Sequence, residues 1–296
     1  MNTLPRILAA CFGMLLLMAL PAQAQLQVSM KLDKTIHIVQ EPIGVTLTIT
    51  NRSGSDFIIG GPSGRKWLDF EITDTSGQRL SSNHTDDTQS SVFAAGSTIT
   101  KKFAVAGQHV LEQGHYGVKA LVYHGPSGQH YESNRARVQV LEGQRFGKPL
   151  QFGVPAGFPD AGRMRSYIML THQDMDRSYM YVRLVDERSG GFITTFQLGT
   201  LTLFREPQYT LDRGNNLHII FLTAPTIYRY TIIRPDGTVA AQTMHRETEA
   251  DRPKLYLTAS NEVLMKGGIV YDPAALRREA EKQNTGKSIG ARPPGL

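Results

Sequence analysis

Cysteine is almost missing from this chain: Cys11 is the only one in 296 residues. It sits inside an apolar run from Ile7 to Leu20, so the sequence beyond that run has no thiol. That excludes a disulfide framework, a cysteine-ligated metal site and a cysteine nucleophile for the remainder. Cys11 lies in the middle of the run rather than at its end, which argues against a lipoprotein cysteine. Tryptophan is equally scarce, with Trp67 alone. Long hydrophobic runs are absent after Leu20, and residues 26–142 carry no helical period. Charge of one sign is never concentrated. The formal net charge is +6, and the basic excess is spread thinly over the second half. A nucleic-acid binder gathers such charge into one stripe with aromatics, so nucleic acid is not an expected partner.

The chemistry-bearing motifs are missing as well. No Gly-x-Ser-x-Gly elbow, His-Glu-x-x-His pair or phosphate-cradling glycine loop is present, so no cofactor is expected. Ser63-Gly64-Arg65-Lys66 has the spacing of a serine–lysine acylase, but Pro62 and Gly64 flank the serine where that chemistry needs the start of a helix. A turn is the expectation there.

What is present begins with residues 1–24. Arg6 precedes the apolar run, and Ala22 and Ala24 follow it before Gln25. A charged start, an apolar core of about 14 residues and small residues at the end form the pattern of a secretory signal peptide. The run is too short for a comfortable bilayer span. Export to the bacterial periplasm or cell exterior is therefore expected, with no membrane segment left after cleavage.

From Leu26 onward the period is two. Leu26, Val28 and Met30 alternate with polar residues, as do Val45, Leu47 and Ile49. Trp67–Ile72, Thr98–Val105, Tyr116–Val122 and Arg137–Leu141 continue the series, with turn clusters such as Asn51-Arg52-Ser53-Gly54 between them. Short strands with intervening turns and no helical period predict an antiparallel sandwich over 25–142. Trp67 would lie in its core. This stretch resembles bacterial immunoglobulin-like domains of the macroglobulin and proteinase-inhibitor kind. The resemblance is carried by Glu41-Pro42-Ile43, by Asn51-Arg52-Ser53-Gly54, by Trp67-Leu68-Asp69-Phe70 and by Gly114-His115-Tyr116, the last of which suits a tyrosine corner. It implies a fold rather than a ligand.

Residues 143–162 are rich in glycine and proline and are expected to link two domains. The region 163–271 then repeats itself. Pro207, Tyr209, Leu211, Asn215, Leu217 and Ile219 recur 46 positions later as Pro253, Leu255, Leu257, Asn261, Val263 and Met265. Tyr179-Met180-Tyr181 recurs as Tyr228-Arg229-Tyr230, and the turns at Gly190-Gly191 and Asp236-Gly237 occupy matching places. Each unit reads as four short strands, which resembles a β-propeller blade. Tyr167–Thr171 would be the last strand of an incomplete earlier unit. The segment is too short to close a propeller, so its sheets must stay open and their edges must be covered or paired. A short helix is expected from Asp272 to about Gln283, capped by Asp272 and Pro273, before a tail whose composition suits disorder.

Three clusters remain as candidate sites. His124 and His130 flank a five-residue loop and would face each other across a hairpin, a weak metal candidate. His172, Asp174 and Asp176 place three donors at alternate positions in a loop; a calcium loop would want more oxygens and a glycine turn, so a solvated loop is the expectation. Asp212, Asn215 and His218 surround a turn, and the partner turn at Asn261 lacks the Asp and the His, so turn formation through left-handed asparagines is the shared role. His218 should face away from Leu217 and Ile219.

The expected function is non-enzymatic: an exported binding or scaffolding protein, whose partner is another protein met by edge-strand pairing. The alternatives are a proteinase inhibitor acting through loops 60–66, 83–91 and 124–130, and a carbohydrate-binding or carbohydrate-acting protein.

Overall fold

The computed structural model describes residues 26–59, 67–84, 91–105, 112–124, 128–272 and 274. The expected signal segment, Ser63 and Lys66, the inhibitor loop 60–66, the tips of the other two loops, and the tail lie outside them. So does the expected helix apart from Asp272 and Ala274, where the Asp272 carboxylate accepts the Ala274 N–H at 2.9 Å. Among the described residues no helix is long and apolar enough to cross a membrane.

The protein is all-β. In chain order the strands are β1 (Leu26–Leu32), β2 (Ile36–Ile38), β3 (Ile43–Asn51), β4 (Phe57–Ile59), β5 (Leu68–Thr73), β6 (Arg79–His84), β7 (Ser91–Phe93), β8 (Thr98–Val105), β9 (Gly114–His124), β10 (Gln129–Glu132) and β11 (Ala136–Leu141). They continue with β12 (Gln144–Gly153), β13 (Met164–Asp174), β14 (Arg177–Asp186), β15 (Phe192–Leu201), β16 (Gln208–Leu211), β17 (Leu217–Ala224), β18 (Ile227–Ile233), β19 (Val239–Arg246), β20 (Lys254–Leu257), β21 (Val263–Lys266) and β22 (Ile269–Val270). The chain divides into two compact units. One runs up to His37 and resumes over Pro42–Val140; the other takes Ile38–Glu41 and everything from Leu141.

In the first unit, β1-β3-β8 form one sheet and β2-β11-β9-β5-β6 another, with β10 paired to β9 and a small β4-β7 ribbon beside them. Period-two alternation decides which side chains go inward. Leu26, Val28, Met30 and Leu32 of β1 are buried while Gln27, Ser29 and Lys31 are exposed, and β3 follows the same rule. Phe70 of β5 meets Phe103 of β8 with ring centroids 5.7 Å apart, so the two sheets face each other. Trp67, just before β5, is buried as expected. The Asn51 side chain is buried and donates to the carbonyls of Ser55, Phe93 and Ala94, so this turn residue also ties β3 to the β7 end. The Tyr116 hydroxyl donates to the Glu112 carbonyl at 2.8 Å.

The second unit consists of propeller-like antiparallel meanders. The first sheet is β12-β13-β14-β15, the second β16-β17-β18-β19-β22, and the third only β20-β21. Tyr167, Met169, Met180, Val182 and Leu184 of the first sheet pack against Leu217, Ile219, Phe221 and Ile233 of the second. The far face of the second sheet, through Ile220, Leu222 and Tyr228, is covered by Leu255 and Met265 of the third. The far face of the first, through Leu170 and Tyr181, is covered by Ile38. There the Arg183 guanidinium donates to the Val39 carbonyl at 2.9 Å and to Thr195 Oγ1 at 3.1 Å.

Two expectations need correction. The stretch 143–162 is not all linker, because Gln144–Gly153 is a ten-residue strand. Its glycine and proline hid it. Gly147 has φ 64 and sits in a bulge where the register against β13 shifts between Phe146 and Leu150. Pro149 is tolerated because β12 is an edge strand, where one missing N–H costs little. In consequence the earlier repeat is complete. Tyr167–Thr171 lies within the second strand of a four-stranded sheet, not at the end of a fragment.

Candidate binding surface

The 46-residue recurrence is a structural repeat at the level of two hairpins. β16 pairs with β17 so that Leu211 opposes Leu217 and Tyr209 opposes Ile219. β20 pairs with β21 so that Leu257 opposes Val263 and Leu255 opposes Met265. Both turns place an asparagine in the left-handed region, Asn215 at φ 59 and Asn261 at φ 56. In each, a side-chain oxygen four residues upstream accepts a turn amide: Asp212 takes that of Asn216 at 2.9 Å, and Thr258 takes that of Glu262 at 3.0 Å. The turns are also tied to each other, since the Arg213 N–H donates to the Asn261 carbonyl at 2.8 Å. Gly190 and Gly237 sit in turns joining the third and fourth strands of the first and second sheets, as the matching sequence positions require.

After β21 the two units of the repeat diverge. Gly267 and Gly268 both have positive φ, 91 and 66. A Cβ on Gly267 would lie 2.2 Å from the Arg252 carbonyl oxygen, and one on Gly268 would lie 2.6 Å from that of Arg246. Two glycines in succession therefore let the chain turn tightly under its own backbone. It emerges as β22, which pairs with β19 through Arg246–Ile269 and His245–Val270. Among the described residues the third sheet is left with two strands where its predecessors have four or more.

Antiparallel pairing alternates between bonded and non-bonded pairs. Thr258 and Glu262 form a bonded pair, so the N–H and C=O groups of Val263 and Met265 point away from β20. They form the outer edge of this sheet. The edge is flanked by an apolar and cationic face: Tyr256 opposes Leu264, and Lys254 opposes Lys266. Tyr256 and Leu264 are 48% and 41% exposed, and Lys266 Nζ lies 5.8 Å from the Tyr256 ring centre.

A polar chain lies on the second sheet. His218 Nε2 is 3.1 Å from Asp212 Oδ2 and its Nδ1 is 2.6 Å from the Tyr230 hydroxyl. The network is satisfied if His218 donates to the carboxylate and accepts from the phenol. Burial, then the Asp212 charge, raises the Tyr230 pKa, which keeps the phenol a donor. Burial opposes ionisation of Asp212. Hydrogen bonds from the Asn216 and His218 side chains and the Asn216 and Gly214 amides outweigh it and lower its pKa. His218 faces away from Leu217 and Ile219, as the alternation predicts, and the chain holds a turn to a strand.

The other sequence candidates do not converge. β10 pairs with β9 so that His124 opposes Gln129 and His130 opposes Tyr123. His124 and His130 thus leave opposite faces of the sheet. The expectation that they face each other fails, because the hairpin register differs by one residue from the assumed one. His172 and Asp174 lie at the end of β13 and Asp176 in the two-residue turn after it, where Met175 has φ 47. This is a tight hairpin rather than a loop that wraps a cation. Among the described residues no group of three or more His, Asp or Glu side chains is placed to hold a metal ion.

No family model matches the chain. No curated protein matches it either. Among solved structures it is similar to the sporulation control protein Spo0M from Bacillus subtilis, at 11% identity and a TM-score of 0.27, over 59% of this chain and 91% of that one. A likeness of that size carries no argument about function.

Proposed function

We propose that this is an exported, non-enzymatic binding protein that takes up an extended segment of a partner protein along the outer edge of β21. The observation that carries the reading is the diversion at Gly267-Gly268, which stops the third sheet at two strands and leaves the Val263 and Met265 backbone groups facing outward. An unpaired edge is a template for one more strand, and strand addition is a general mode of peptide capture. Lys254 and Lys266 around Tyr256 and Leu264 suit a segment that alternates acidic and apolar residues. Export rests on the composition of residues 1–24. The first unit is read as an immunoglobulin-like sandwich that carries the binding unit. The Tyr116–Glu112 hydrogen bond supports this, since such a bond to the backbone a few residues upstream marks the tyrosine corner of these sandwiches.

The test is fluorescence anisotropy with a labelled nine-residue peptide alternating Asp and Val, against its Lys/Val counterpart. The acidic peptide should bind, and Val263→Pro, which removes one outward N–H, should weaken it by roughly tenfold while leaving circular dichroism unchanged. If neither peptide binds, the reading fails. If sedimentation instead shows a dimer that Val263→Pro dissolves, the edge pairs with a second copy and the partner assignment is wrong.

A further inference from the structure

The outer face of the six-stranded sheet in the first unit holds a groove that the edge-binding reading does not use. Three strands build it. Thr73 of β5 and Arg137 of β11 both oppose Gly117 of β9, and Gln139 opposes His115 one step along. Thr35 closes one side, and the cavity measures about 650 Å3, within the range of small-molecule sites.

Gly117 is the floor. Its φ is not positive, so the backbone does not demand glycine; the space does. A Cβ there would lie 2.9 Å from Arg135 Cδ and 3.1 Å from Thr73 Oγ1. Without one, the Arg135 side chain lies down across the sheet into the groove. Its nearest carboxylate is Glu71 at 3.9 Å. That carboxylate is also 3.3 Å from Lys119 and 3.9 Å from Arg79, which have closer partners in Glu132 at 3.0 Å and Asp69 at 3.2 Å. Arg137 has no ion pair among the described residues. The acidic residue in the groove is Asp74, and one of its oxygens accepts from Ser76 Oγ at 2.6 Å and the Gln78 amide at 2.9 Å. It is committed to its own turn. The groove therefore sets two cations, Arg135 and Arg137, against the one carboxylate of Asp74, and its other polar walls are hydroxyl, amide and imidazole groups.

We infer that this groove binds a small hydroxyl-rich carboxylate, a sugar acid in chemical class. Arg137 would meet the carboxylate, with its planar fork matched to the two oxygens. Arg135 adds a second positive charge, and Thr35, Thr73 and Gln139 offer partners for hydroxyls. Ile36, Val138 and the ring of Tyr116 supply the apolar lining, a surface for the C–H face of a sugar ring.

The test is an amide NMR titration of the 15N-labelled chain with galacturonate, digalacturonate and galactose at matched ionic strength. Both acids should shift the amides of Thr73, Gly117 and Arg137, and galactose should not. Tighter binding of the dimer would place the site on the end of an acidic polysaccharide; equal binding would assign it to the free acid, and either outcome supports the inference. Arg137→Gln should weaken binding by roughly tenfold or more, with Arg137→Lys between it and the parent. Galactose shifting the same amides equally, or no localised shift with either acid, overturns the inference. So does an Arg137→Gln variant that is folded and binds as the parent does.

Discussion

The hairpins β16-β17 and β20-β21 share a register, a left-handed asparagine and a hydroxyl or carboxylate that holds the turn, yet one is core and the other is surface. Leu217 and Ile219 are fully buried between two sheets. Their counterparts Val263 and Met265 are only partly buried, and Leu264 stands exposed where His218 is buried. The turn chemistry fixes the shape of both. What differs is what comes next in the chain: after β17 two more strands continue the sheet, and after β21 two glycines turn it away. Local sequence thus determines the hairpin, and the following connection determines whether it is a core element or an edge.

Three experiments break or sharpen that contrast. The largest effect is expected from Gly267→Ala. The new methyl would collide with the Arg252 carbonyl in a backbone conformation already unfavourable to alanine, which should cost on the order of 3 kcal/mol or more. Gly77→Ala is the control, since Gly77 also has positive φ but nothing within 4 Å; it should cost about 1 kcal/mol. Equal melting temperatures for the two variants would remove the steric account of the diversion.

Next comes the pair Ile219→Ala and Met265→Ala. Truncation in the closed core should cost about 2–5 kcal/mol, and truncation in the half-open hairpin roughly 1 kcal/mol. Urea melts measure both. Similar losses would mean that the third sheet is as well packed as the second.

The smallest effect separates Asp212 from Thr258. The Asp212 carboxyl is held below its ordinary value in the folded protein. A depressed carboxyl stabilises the fold above its unfolded value of about 3.9 and loses that contribution as the pH falls through the folded value. Asp212→Asn should therefore destabilise at pH 6 by about 1 kcal/mol, with the gap to the parent closing in acid. Thr258→Val should show a gap that does not change with pH. A constant gap for Asp212→Asn would mean that its charge contributes nothing.

Much of this was readable in advance because it is local. Alternation gave β1 and β3, and the asparagine turns gave the hairpins and their repeat. What was hidden is non-local or locally contradictory. β12 carries a glycine bulge and a proline, which read as a linker until the neighbouring strand is known. The faces of His124 and His130 depend on register, and a one-residue difference reverses them. The groove at Gly117 needs residues 73, 117 and 137 side by side, and no short window holds all three. Gly267-Gly268 is visible as a flexible pair, but its destination on β19 is not.

The strip Ile38–Glu41 has a consequence in time. It turns tightly, with Gln40 at φ 70 and the Glu41 carboxylate accepting the Ile38 N–H at 3.0 Å. Its partners come much later: Leu141 bonds Val39 after about a hundred residues, and Arg183 bonds it across 144 positions. During synthesis the strip is made early and waits for most of the chain. Closing so long a loop is slow compared with forming a hairpin. The first four-stranded sheet can form its own ladders before then, but its outer face is not covered until the strip arrives. Order along the chain and order of assembly therefore part company at Ile38, and this late docking step is where a folding rate should be set.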